Sequence, residues 1–109
     1  MKITLETKLL SVNRCWQGRR FKTPDYVSYE REILYMLPKP ETTIKGNVRV
    51  QFSFFLKNNK KSDVDNLIKP LLDILTKKGY FEDDRQITEL LAYKFREKND
   101  RVNIEITEL

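Results

Sequence analysis

The chain has 109 residues, 39% hydrophobic, 34% charged and 11% aromatic: enough for one domain with one modest core, and too rich in large apolar groups for a disordered chain. It has no histidine and a single cysteine, Cys15, which excludes His-based triads, His general bases, Cys–His nucleophiles, Cys/His zinc sites and an intrachain disulfide. Lys and Arg outnumber Asp and Glu by 21 to 16, a net charge of +5, which favours a polyanionic partner, nucleic acid first.

No apolar run approaches the ~18 residues of a membrane span, and the first residues lack the apolar stretch of a secretory signal. The expectation is a cytoplasmic protein with no membrane partner. Any metal chemistry has to use oxygen ligands, and so a hard cation.

Ile3, Leu5, Thr7 and Leu9 alternate with polar positions and predict a first strand. Residues 11–24 are basic, contain Gly18 and Pro24 and show no clean period, which predicts a loop. Tyr26, Tyr29, Ile33, Met36 and Leu37 fall at helical spacing, with Pro38 and Pro40 as the stop. Val48, Val50, Phe52, Phe54 and Leu56 alternate strictly and predict a second strand, with Phe52 and Phe54 facing the core.

Leu67, Ile68, Leu71, Leu72 and Leu75 trace one face of a second helix that Gly79 ends. Pro70 in its second turn removes a donor and should leave the Asn66 carbonyl free or bend the helix start. Residues 85–96 suit a helix or a strand equally; the turn at Lys98-Asn99-Asp100 and the alternation of Val102, Ile104 and Ile106 favour a strand paired back as a C-terminal hairpin. The order β-α-β-α-β-β predicts an α+β fold: a single domain spanning 1–109, with a mixed sheet packed against two helices.

The informative stretch is Ser62-Asp63-Val64-Asp65-Asn66-Leu67-Ile68-Lys69, at the start of the second helix. Asp63 and Asp65 are two apart in an extended lead-in, so both side chains can point one way. Asp65, Lys69 and Asp73 form a stripe opposite the leucine face. A second cluster, Glu82-Asp83-Asp84, precedes the third long strand. If that strand joins the same sheet, Asp84 returns to the helix start.

Three converging carboxylates repel and raise each other's pKa unless a cation holds them. Asp63, Asp65 and Asp84 are therefore the candidate ligands of Mg²⁺, with Mn²⁺ as a substitute. Next to a basic surface, such a site suits phosphodiester cleavage, with Lys69 as a further positive charge for the transition state. The plainer reading stands beside it. Asp63 and Asp65 cap a helix, Asp65–Lys69 is a surface pair contributing about 0.3–0.5 kcal/mol, and residues 82–84 form a solvated turn.

The pattern Asp63-x-Asp65-Asn66-x-x-Lys69-x-x-x-Asp73, followed by Asp83-Asp84 before a strand, resembles the RusA-type Holliday junction resolvase family. Ser11-Val12-Asn13-Arg14-x-Trp16 resembles that family's early loop, and the likeness runs from the first strand to Ile106-Thr107-Glu108. Leu9-Leu10 stands where prolines are frequent, and Cys15 where an aromatic is frequent. The resemblance implies a homodimeric, Mg²⁺-dependent endodeoxyribonuclease that resolves four-way junctions by paired symmetric nicks in recombination and repair. It implies metal ligation by Asp63, Asp65 and Asp84, a catalytic Lys69, and Asp83 as an auxiliary carboxylate. Family members are often carried by bacteria and their prophages. No small-molecule cofactor beyond the metal is implied, and two cuts in equivalent strands need two sites, as a two-fold dimer supplies.

Asn13, Arg14, Arg19, Arg20 and Lys22, with Lys60 and Lys61 just before the acids, are the expected DNA contacts, positioning phosphates rather than reading bases. Trp16 and Phe21, set among these cations, could stack on opened bases, though core packing is the stronger expectation for Trp16. The alternative function is a branched-DNA-binding module that does not cut, part of a phage or recombination complex. A third reading is a nuclease of other branched or flapped DNA. A complete acidic set favours cutting, because a pure binder gains nothing from negative charge beside phosphate.

Overall fold

The computed structural model describes residues 1–18, 21–58 and 63–109. Its regular elements are β1 (Lys2–Leu5), β2 (Trp16–Gln17), β3 (Phe21–Lys22), α1 (Pro24–Met36), β4 (Val48–Leu56), α2 (Val64–Lys78), β5 (Ile87–Arg96) and β6 (Arg101–Glu108). Two 3-10 turns lie at Val12–Arg14 and Asp84–Gln86. The expected α+β class, with two helices on a mixed sheet, is what forms.

The large sheet has the order β1-β6-β4-β5. β6 pairs antiparallel with β1 and β4, whereas β5 pairs parallel with β4. The expected C-terminal hairpin is therefore absent: β4 lies between β5 and β6. The turn at 97–100 crosses the end of β4 instead. Glu97 N donates to the Leu56 carbonyl (2.9 Å) and Lys57 N donates to Asp100 Oδ1 (2.9 Å). The reason is burial. β4 is apolar at every inward position, from Val48 to Leu56, and a strand so uniformly apolar on its core face is best covered at the centre of a sheet.

One face of the sheet carries the core. Val48, Val50, Phe52 and Phe54 have no exposed surface and pack with Ile3, Leu5, Val102, Ile104 and Ile106. Tyr26, Tyr29 and Ile33 of α1 and Leu67, Leu71, Ile74 and Leu75 of α2 close over them. The helix predicted from Asp25 onward forms as Pro24–Met36 with Thr23 as its cap, Oγ1 accepting from Tyr26 N at 3.1 Å, and ends before Pro38.

Residues 11–24, expected as a loop, are more ordered than that. Ser11 caps the first 3-10 turn, and Trp16 and Gln17 pair with Lys22 and Phe21 as the small β2–β3 ladder. Trp16 does not enter the core. It is 41% exposed and lies against Tyr26, ring centroids 5.9 Å apart. A two-residue ladder is too short to bury an indole, so core packing gives way to a surface contact.

Candidate active site

α2 begins at Asp63, whose backbone carbonyl accepts from Asn66 N (3.1 Å) while its side chain makes no cap hydrogen bond. The helix is amphipathic as predicted: Leu67, Leu71, Leu72, Ile74 and Leu75 are buried, and Asp65 and Lys69 are exposed. Pro70 sits inside it and is buried. Its missing N–H takes the normal donor from the Asn66 carbonyl, one turn from the acids.

The end of the helix decides where the second acidic cluster goes. Gly79 adopts φ 98°, a left-handed conformation open to glycine, and closes the helix through Gly79 N to the Leu75 and Thr76 carbonyls. Tyr80 and Phe81 then plunge into the core, and Ile44 N bonds the Tyr80 carbonyl at 3.0 Å. From that anchor the chain turns back along α2.

Gln86 holds the returning turn. Its Oε1 accepts from Glu82 N (2.8 Å) and Asp83 N (3.0 Å), and its Nε2 donates to the carbonyls of Ile44 and Gly46 (both 2.8 Å). Sequence reasoning passed over this glutamine. The signal was present as a capping box, Asp83 and Gln86 three apart. Asp83 itself is occupied: its carboxylate accepts from Arg85 N (2.8 Å) and Arg85 Nε (3.1 Å), bonds that hold it below the usual carboxylate range.

Asp84 is thereby carried to α2. Lys69 Nζ donates to Asp84 Oδ2 at 3.1 Å and lies 3.0 Å from Asp73 Oδ1. Hydrogen bonds to Asp73, then to Asp84, push the Lys69 pKa above its ordinary value, which favours its charged ammonium form. The stripe of Asp65, Lys69 and Asp73 lies on α2 as the spacing predicted, and Asp84 meets it at Lys69. The lysine pairs with Asp73 and Asp84 rather than with Asp65. As the side chains stand, no group of three His, Cys, Asp or Glu residues among the described residues forms a metal-holding cluster. The donor chemistry nevertheless fits a hard divalent cation: Asp63 and Asp65 are exposed oxygen donors at the helix start, and the Asp63 carboxylate is not engaged in capping.

The other wall of the site is the segment that begins at Ser11. The first 3-10 turn packs on α2. Cys15 lies buried there, its thiol pushed up to about 11 by burial and then by the charge of Asp73. It is therefore a protonated packing group and no nucleophile.

Of the expected DNA contacts, Asn13 and Arg14 are exposed on this wall, Arg14 lying 3.9 Å from Asp25. Lys22 is exposed as well but already paired, its ammonium 3.1 Å from Glu30 and over the Tyr26 ring. Arg19, Arg20, Lys60 and Lys61 lie outside the described residues. Phe21, 71% exposed, and one face of Trp16 remain open to solvent beside these cations.

Comparison with known proteins identifies the class. Residues 10–107 match the family described as Endodeoxyribonuclease RusA. The chain is 35% identical over 94 residues to the crossover junction endodeoxyribonuclease of Lactococcus phage r1t, covering 75% of this chain and 72% of that protein. It is 30% identical over 83 residues to the enzyme of that name from Aquifex aeolicus (74% and 66% covered), and 28% over 107 residues to that of Enterobacteria phage HK97 (91% and 88%). The chain belongs to the RusA family of endodeoxyribonucleases. Nucleases of this kind generally need a divalent metal, and no helix among the described residues is long and apolar enough to cross a membrane.

Proposed function

We propose that the chain is a divalent-metal-dependent endonuclease that resolves four-way DNA junctions by paired nicks in strands of like polarity. The observation that carries this reading is the Lys69–Asp84 contact. Two segments fifteen residues apart in sequence deliver a cation and a carboxylate to the solvent face of α2, one helical turn from Asp65, in a chain of an endodeoxyribonuclease family.

Asp63, Asp65 and Asp84 would hold Mg²⁺, with Mn²⁺ as a substitute. When bound, the metal polarises the scissile phosphate and lowers the pKa of an attacking water. Lys69, kept charged by two carboxylates, stabilises the negative charge that builds on the phosphoryl oxygens and does not act as a base. Asp73 orients Lys69 from one turn along the same helix. Asp83 fixes the turn that presents Asp84 rather than touching substrate. Asn13 and Arg14, with Arg19, Arg20, Lys60 and Lys61, position the phosphate backbone. Trp16 and Phe21 offer flat apolar faces to bases unstacked at the crossover. A homodimer presents one such site to each of two equivalent strands.

The test is a synthetic four-way junction incubated with Mg²⁺, with Mn²⁺ and with EDTA, beside a linear duplex. Symmetric nicks that need the metal and spare the duplex are the expected result. Binding without cutting in either metal would leave the chain a junction-binding module. Equal cutting of flaps and junctions would make it a general nuclease of branched DNA.

A further inference from the structure

Cations that find no carboxylate within the fold gather at one end of the sheet. A cleft of about 1610 Å³ opens there between the segment after β1, α1 and the turn from β5 to β6. Beside it lies a smaller hollow of about 550 Å³, lined by Lys57, Arg96, Glu97 and Lys98. The parallel pairing of β4 with β5 builds this hollow, because it brings both carboxyl ends together. Leu56 and Arg96 are register partners, and Glu97 N donates to the Leu56 carbonyl at 2.9 Å.

The carboxylates of the cleft are engaged in its walls. Asp100 Oδ1 accepts from Lys57 N (2.9 Å) and its Oδ2 from Leu9 N (3.3 Å), and Glu32 accepts from Thr7 Oγ1 (3.0 Å). Glu97 lies 3.5 Å from Arg101 and Asp25 lies 3.9 Å from Arg14. Glu6 alone of the lining acids has no such partner among the described residues. Lys57, Arg96 and Lys98, by contrast, are exposed and form no ion pair among the described residues. The sequence Asn59-Lys60-Lys61-Ser62 has no acid to supply one. Three like charges around one hollow repel, and a polyanion removes that repulsion on binding.

Chain length ties the hollow to the acidic site. Asp63 follows Lys57 by six residues, so their Cα atoms lie within roughly 20 Å, and Leu67 of α2 lines the cleft with Leu56 and Lys57. A DNA strand advances about 3.4 Å per nucleotide along the duplex axis, so that span is about six nucleotides.

We infer that Lys57, Arg96 and Lys98 seat the phosphate backbone of a duplex arm, within about six nucleotides of the phosphate that faces Asp63. The contact positions the arm and reads no base. The inference rests on the proposed function for its partner, and deepens it by naming a backbone contact outside the acidic site.

Fluorescence anisotropy of a synthetic four-way junction in EDTA, across a salt series, tests it. Lys57→Ala/Arg96→Ala/Lys98→Ala removes three cations and takes the net charge from +5 to +2. Lys2→Ala/Arg31→Ala/Lys39→Ala does the same with exposed cations outside the cleft. The first variant is expected to lose about 2.7 from the slope of log affinity against log salt, roughly 0.9 per contact. Its fall in affinity between about 50 and 200 mM salt is then about fortyfold smaller than that of the wild type. The second variant should nearly keep the wild-type slope, and Lys57→Arg/Arg96→Lys/Lys98→Arg should keep it too. Equal slopes in the two alanine variants, or a wild-type slope in the first, overturn the inference.

Should the first variant fail to fold, a tethered iron chelate decides. Attached at Lys98→Cys, it should cut the arms by hydroxyl radicals within about six nucleotides of the crossover, and attached at Lys39→Cys it should not. The native Cys15 is buried and does not compete for the label. Any other pattern overturns the seat. Junction cleavage in Mg²⁺ is read separately. A wild type that cuts, with a salt slope unmoved in the first variant, loses the seat and keeps the nuclease. A wild type that binds through these cations and never cuts does the opposite, and one that binds no junction overturns both.

Discussion

At the residue scale the chemistry turns on charge placed beside phosphate. Asp65 is exposed on the same face of α2 as Lys69 and contributes nothing to the core. Asp65→Asn should therefore leave stability within about 0.5 kcal/mol. It should reduce junction cleavage by at least about a hundredfold, the scale of losing one electrostatic partner of a transition state. Junction affinity in EDTA should hold or tighten, because one repelling charge is gone. Gel-shift binding and single-turnover cleavage measured on the same preparation check both halves. Loss of binding together with cutting would move Asp65 from chemistry to structure. The Asp65 stripe was legible in the sequence, since helical periodicity alone puts positions four apart on one face. The choice of Lys69 partner was not, because it depends on where Asp84 arrives.

At the element scale, two polar struts hold the site's walls. Gln86 makes four hydrogen bonds, two that brace the Asp84 turn and two that tie it to the carbonyls of Ile44 and Gly46. Gln86→Ala should cost about 1–3 kcal/mol in chemical denaturation. It should lower cleavage while leaving junction affinity nearly unchanged, because it releases Asp84 without removing a phosphate contact. Glu30 is the second strut, its largely buried carboxylate receiving Lys22 of β3 (3.1 Å) and Lys77 of α2 (2.8 Å). Burial alone would raise its pKa, but the hydrogen bonds from Lys77 and Lys22 outweigh it, and the folded value lies below the ordinary 4.5. A carboxylate with a depressed folded pKa stabilises above its unfolded pKa, and that contribution is lost as the pH falls through the folded value. The wild type should therefore lose stability progressively below about pH 4.5, and Glu30→Gln should flatten that slope; urea midpoints measured from pH 3 to 7 read the difference. Both struts join residues more than forty positions apart, Gln86 to Ile44 and Glu30 to Lys77, so no local pattern announced them.

At the scale of the whole molecule, the net charge of +5 predicts association dominated by counterion release. The logarithm of junction affinity should fall linearly with the logarithm of salt concentration, by about 0.9 per phosphate contacted. Arg14→Ala should reduce that slope by about one unit without changing which strands are cut. Fluorescence anisotropy across a salt series checks it, and an unchanged slope would remove Arg14 from the interface. The same scale governs the sheet. An antiparallel hairpin from 87 to 106 was the local expectation, since a short polar turn joins two alternating runs. The apolar strand 48–56 takes the place between them, because burying its whole inward face stabilises more than a local pairing could.

By itself the amino-acid order determined the two helices and their ends, the strand alternation, the acidic stripe on α2 and the exclusion of histidine and disulfide chemistry. These follow from periodicity, capping and composition, which are properties of neighbouring residues. Only the tertiary structure decided that β4 separates β5 from β6, that Gln86 and the Tyr80-Phe81 anchor return Asp84 to Lys69, and that Trp16 lies on the surface against Tyr26. Each of those outcomes depends on which distant apolar surfaces compete for the same core, and that competition is resolved only when the whole chain packs.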